Sequence, residues 1–122
     1  MVRNGWNVDV DYSNGEDPHE GKEDSCKSGQ FYGYNMKYGI GRVSAIFKGS
    51  GKANLRYSDC FKAGWVTVSL NGLEIDSTEK TQVLKKIETV TFQYEKGDLL
   101  ELKEFNKAYI ELYSLDLYDG GN

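Results

Sequence analysis

The sequence predicts an all-β domain, an antiparallel sandwich of jelly-roll type with about eight strands. A closed barrel is the alternative. Three observations carry this. Apolar residues recur at every second position through most of the chain after residue 30, the signature of strands with one face buried and one wet. β-branched and aromatic residues crowd those same runs. Turn signals separate them at intervals of about 8–12 residues, the spacing of sandwiches and barrels.

The elements follow in chain order. Residues 1–29 read as a polar, acidic segment ahead of the strands, within a single domain spanning 1–122. In GRVSAIFKG, Val43, Ala45 and Phe47 alternate with Arg42, Ser44 and Lys48. KANLRYS sets Ala53, Leu55 and Tyr57 on one face, and KGSGK at 48–52 reads as a hairpin between these two strands. GWVTVSLNG turns Val66, Val68 and Leu70 inward and leaves Trp65, Thr67 and Ser69 outside. Asn71-Gly72 then predicts a tight hairpin, because both residues tolerate positive φ. STEKTQVLKK at 77–86 lacks a capping box and predicts a short turn. ETVTFQY alternates Val90, Phe92 and Tyr94 against Thr89, Thr91 and Gln93, with Gly97-Asp98 read as a further hairpin. In AYIELYSLDL the inward set is Ile110 and Leu112, then Leu115 and Leu117. The change of parity near Ser114 predicts a β-bulge.

Length and charge narrow the function. A chain of 122 residues buries roughly two thirds of the surface its unfolded form exposes. The net charge is −4, with no cluster of Lys or Arg, which speaks against a nucleic-acid partner. No apolar run approaches the roughly 20 residues of a membrane span. MVRNGW has no apolar leader stretch, so the chain reads as a mature segment. Cys26 and Cys60 lack the CxxC or His neighbours of a zinc site. They are expected to pair as a disulfide, which implies a secreted or extracellular protein.

Residues 9–25, DVDYSNGEDPHEGKEDS, hold seven carboxylates and one Lys, whereas the remainder carries twelve acids and fourteen bases. Asp9, Asp11, Asn14 and Glu16 are oxygen donors close in sequence, with Gly15 for a tight turn, and calcium takes six to eight such ligands. The spacing is not that of an EF-hand, since the glycine falls one position late and Pro18 interrupts the loop. The competing reading is a solvated acidic loop.

Enzyme chemistry finds little footing. The single His19 lies in the acidic segment, GSGKA lacks the phosphate-loop spacing, and Glu101 and Glu104 fall on opposite faces of a strand. Glu101 and Glu111 could share a face if their strands were neighbours, at a glycosidase-like separation. The expectation is a non-catalytic chain. Aromatic residues stand out instead. GQFYGYNMKYG places Tyr32 and Tyr34 between glycines, and nine tyrosines are more than a core needs. Trp65 beside Thr67 on an outer face leaves an apolar ring next to a hydroxyl, the pairing on which sugars stack and bond. Cross-strand ladders that only stabilise the sheet are the plain alternative.

The stretch GKANLRYSDCFKAGWVTVSLNGLEI, with VTFQYEKGDLLELKE and AYIELYSLDL, resembles extracellular β-sandwich modules of the galactose-binding-like type, which include many carbohydrate-binding modules. The resemblance covers about residues 40–118. It implies a glycan-binding (lectin-like) module, and the aromatic and outer-face reading above supplies Trp65, Thr67, Tyr32 and Tyr34 as the expected ligand contacts. It also implies a structural calcium that joins the N-terminal strand region, at Asp9 and Asp11, to the last strand at Asp116. The rival expectation is an adhesion module that binds protein or its own copies.

Overall fold

The computed structural model describes residues 2–5, 10–13, 29–31, 34–36, 42–59, 64–80, 87–105 and 110–119. Eleven strands occur there: β1 (Val2–Asn4), β2 (Val10–Ser13), β3 (Gly29–Phe31), β4 (Tyr34–Met36), β5 (Arg42–Phe47), β6 (Gly51–Asp59), β7 (Trp65–Leu70), β8 (Leu73–Ser77), β9 (Glu88–Tyr94), β10 (Leu99–Phe105) and β11 (Ile110–Asp119). Nine of them form two antiparallel sheets, one of four strands in the order β1-β11-β6-β9 and one of five in the order β2-β5-β10-β7-β8. β3 and β4 form a separate hairpin. Each sheet keeps two edges, so the architecture is a sandwich and not a barrel.

The core lies where the alternation placed it. Val43, Ala45 and Phe47 of β5, Ala53, Leu55 and Tyr57 of β6, and Val66 and Val68 of β7 are all buried. So are Leu100 and Leu102 of β10 and Ile110, Leu112, Leu115 and Leu117 of β11. Leu70, Val90 and Phe92 are partly buried and pack against this cluster. Phe47 stacks on Tyr94 with ring centroids 4.2 Å apart and meets Phe92 edge-on at 6.1 Å, which ties the two sheets together. The expected bulge is present, since the β11–β6 register shifts between Leu112 and Ser114. That shift lets Leu112 and Leu115, three residues apart, both face inward.

Three expectations need correction. The N-terminal segment is not merely an arm: β1 pairs with β11 and β2 with β5. Gly5 lies so close under β11 that a Cβ there would stand 2.9 Å from Leu115 Cδ2. The turns at 48–50 and 95–98 are not hairpins, because β5 and β6 belong to different sheets, as do β9 and β10. From β5 to β11 the chain changes sheet at every connection except β7–β8, the jelly-roll habit. Turn residues show that the chain reverses, and the reversal is equally compatible with staying in a sheet or crossing to the facing one.

Both crossings meet the β7–β8 hairpin in one polar knot. Asn71 and Gly72 adopt φ of 53° and 86°, as a type I′ turn requires. Asp98 N–H donates to the Glu95 carbonyl, with Gly97 between them at φ 93°, the position where such turns need glycine. The Asp98 carboxylate accepts from Glu95 N–H (2.8 Å) and from Asn71 Nδ2 (3.0 Å), and Asn71 Oδ1 accepts from Leu99 N–H (2.9 Å). Gly97 N–H donates to the Phe47 carbonyl, and Phe47 N–H to that of Asp98. Asn71→Ala removes two side-chain bonds and puts Cβ chemistry less suited to positive φ at the turn. It should cost about 1–2 kcal/mol in urea unfolding.

Candidate functional site

The outer face of the five-stranded sheet carries the residues with binding chemistry. Three central strands set it out in cross-strand rows. Trp65 of β7 stands opposite Phe105 of β10. Thr67 faces Lys103, which faces Arg42 of β5. Ser69 faces Glu101, which faces Ser44. The intervening residues of these strands, Val66, Val68, Leu100, Leu102, Val43 and Ala45, fill the core, so parity fixes the rows on the outside.

The aromatic row is a stacked pair. The Trp65 and Phe105 rings are nearly parallel, at 14°, with centroids 5.3 Å apart, an offset arrangement suited to ring quadrupoles. Trp65 is half-buried, while Phe105 is 41% exposed. The start of β7 is pinned by the buried Thr78, whose Oγ1 accepts from Val66 N–H at 2.9 Å. A short 3₁₀ turn over Thr78–Lys80 follows β8, in agreement with the turn expected there. The two polar rows are joined by an ion pair between Arg42 Nη2 and Glu101 Oε2 at 3.0 Å. An exposed pair of this kind contributes little to stability, but it holds a guanidinium and a carboxylate together on the same face as the rings.

Sequence reasoning located part of this. Trp65 does point outward. Thr67 shares its face but is only 9% exposed, so its hydroxyl is largely enclosed. Phe105, the ring that completes the pair, was missed; its odd-numbered place in LELKEF, on the face opposite Leu100 and Leu102, was the available signal. Tyr34 starts β4 and pairs with Phe31 of β3, away from the five-stranded sheet. Tyr32 lies outside the described residues. Asp11 sits in β2, opposite Ile46 in the five-stranded sheet. Asp116 sits in β11, opposite Asn4 and Asn54 in the other sheet. Asp9, Asn14, Glu16, Cys26 and Cys60 lie outside the described residues. Among the described residues no three His, Cys, Asp or Glu gather as a metal site would need. Glu101 and Glu111 fall on different sheets, so they do not form the facing pair considered from sequence.

No protein-family model matches the chain, and no curated protein matches it. Among solved structures the chain is similar to the native structure of a family 35 carbohydrate binding module from Clostridium thermocellum. The identity is 9%, the TM-score 0.46, and 98% of each chain is covered.

The four-stranded sheet offers a different surface. A cleft of about 440 Å³ opens at its end, lined by Ser50, Lys52, Gln93, Glu95 and Tyr118 among others. The Tyr118 ring is 40% exposed, but Lys52 Nζ lies over it, 5.9 Å from the centroid. A ring face occupied by a cation is a poorer stacking platform than the Trp65–Phe105 pair.

Between the sheets, Tyr57 of β6 donates its hydroxyl to Asp76 Oδ2 of β8 at 2.7 Å. Complete burial, and then the neighbouring Asp76, Glu88 and Asp59 charges, hold the Tyr57 phenol far above its ordinary pKa of 10.0. Tyr113 is pushed up to about 12 by burial and by Glu111, whose carboxylate accepts its hydroxyl at 3.2 Å.

Proposed function

We propose that the protein is a non-catalytic glycan-binding module whose platform is the outer face of the five-stranded sheet. The observation that carries this is the Trp65–Phe105 stack, a partly exposed aromatic surface on the same face as Lys103 and the Arg42–Glu101 pair. A sugar ring presents C–H groups on one face, which pack on an aromatic ring, and hydroxyls at its rim. Here the rim would reach Arg42 and Lys103 of one row and Glu101 of the next, which supply donors and an acceptor. Secretion, a Cys26–Cys60 disulfide and a calcium ion held by the acidic segment belong to the same reading, as properties of an extracellular module.

A glycan array followed by titration of the best ligand tests it. Phe105→Ala should weaken binding roughly tenfold, the equivalent of one aromatic contact of about 1–1.5 kcal/mol. Because Phe105 is 41% exposed, its removal should cost less than the about 3–5 kcal/mol of a buried ring. Unchanged affinity in Phe105→Ala and Trp65→Ala alike would reduce the stack to a cross-strand ladder. In that case an adhesion role through another surface becomes the better reading.

A further inference from the structure

The four edge strands of the sandwich are unequally protected. A bare edge presents a row of backbone donors and acceptors and recruits another strand unless it is short, charged or bulged. β1 has three residues and includes Arg3. β2 has four and includes Asp11. β8 carries Glu74 and Asp76, and its register with β7 is broken between Val68 and Ser69. Beyond Glu88, which is buried at its start, β9 has none of these devices. It runs for seven residues, pairs with β6 without a register break, and is uncharged from Thr89 to Tyr94. Among the described residues no strand pairs with its outer edge. Its inward residues Val90 and Phe92 remain only partly buried, so apolar surface is left at that edge of the core.

We propose that β9 is a homodimerisation edge, on which a second copy of this chain adds its own β9 antiparallel across a two-fold axis. The partner is argued from the strand itself. Antiparallel pairing brings residues of the same face opposite one another. Centred on Phe92, the strand sets Phe92 against its copy, Val90 against Tyr94 and Thr91 against Gln93. Glu88 then falls opposite Lys96. Centred on Thr91, it sets Val90 against Phe92 and Glu88 against Tyr94. Within β9 like charges meet in neither register, and in both the partly buried Val90 and Phe92 face apolar residues of the other copy. The contact is isologous and consumes the edge it uses, so it closes at a dimer and does not grow into a fibre.

The test needs no glycan: the mass of the whole chain is followed by light scattering and analytical ultracentrifugation over a concentration series. The expected result is a monomer–dimer equilibrium. Thr91→Lys with Gln93→Lys places lysines against one another in either register and should give a monomer throughout, with an unchanged circular dichroism spectrum. The corresponding Glu pair should also be monomeric, and a mixture of the Lys and Glu variants should dimerise. This rescue separates edge pairing from a loss of folding. A wild-type chain that stays monomeric at high concentration, or a dimer that survives the Lys substitutions, overturns the proposal.

Discussion

Phe47→Ala should lower the unfolding free energy by about 3–5 kcal/mol, the range for deleting a buried aromatic ring. Phe47 belongs to the five-stranded sheet, and the rings it touches, Tyr94 and Phe92, belong to the four-stranded one. Its removal opens a void between the layers, where neither backbone can follow without breaking its own ladder. The backbone of the same residue is held by the turn at 95–98, which resists collapse into the void. Phe47→Leu should recover much of the loss. Urea unfolding with linear extrapolation measures both, and a cost near 1 kcal/mol for the alanine variant would mean that the sheets do not rely on this contact.

Alkali should destabilise the fold through Tyr57. In the native state its proton is retained far above pH 10, because the anion would be buried beside Asp76. In the unfolded chain the proton leaves near pH 10. The native state therefore binds more protons above that point, and stability falls as pH rises, by about 1.4 kcal/mol per pH unit for one such group. Below pH 10 this contribution is complete and flat. Tyr113 adds a shallower decline between 10 and about 12, reduced by its partial exposure to solvent. Comparing unfolding from about pH 9 to about pH 11 in the wild type and in Tyr57→Phe isolates the effect. The variant should lose about 1–2 kcal/mol at neutral pH from the missing hydrogen bond and then fall less steeply in alkali. Parallel curves for the two proteins would assign the alkaline loss elsewhere.

How far the chain can be read without coordinates differs from one element to the next. Val43-Ala45-Phe47 and Ala53-Leu55-Tyr57 announce buried faces, because strand geometry turns a period of two directly into inside and outside. The step from Leu112 to Leu115 likewise exposes the bulge, since only an extra residue reconciles three-residue spacing with a common face. Asn71-Gly72 gives the one hairpin within the two main sheets among the described residues. What the order of residues leaves open is which strands become neighbours. β10 lies between β5 and β7, and Phe105 meets Trp65 forty residues away, a pairing that depends on the sheet crossings. Val10 and Tyr12, alternating with Asp11 and Ser13, contain the signal for β2, but the density of charge around them reads more strongly as solvated chain. The candidate platform was thus half legible: one ring from local parity, its partner only from topology.

The position of β11 in the four-stranded sheet bears on when the protein can fold. It is paired on one side to β1, through Val2 and Tyr118, and on the other to β6. Every other strand of the sandwich leaves the ribosome before it. Until Ile110–Asp119 emerges, β1 has no partner and β6 can reach only β9, so the sheet lacks its middle. Until then the faces of β6 and β9 stay exposed, and the folding barrier carries the loop-closure entropy of joining β1 to β11. Acquisition of structure should come late and all at once, when Ile110–Asp119 becomes available, rather than strand by strand.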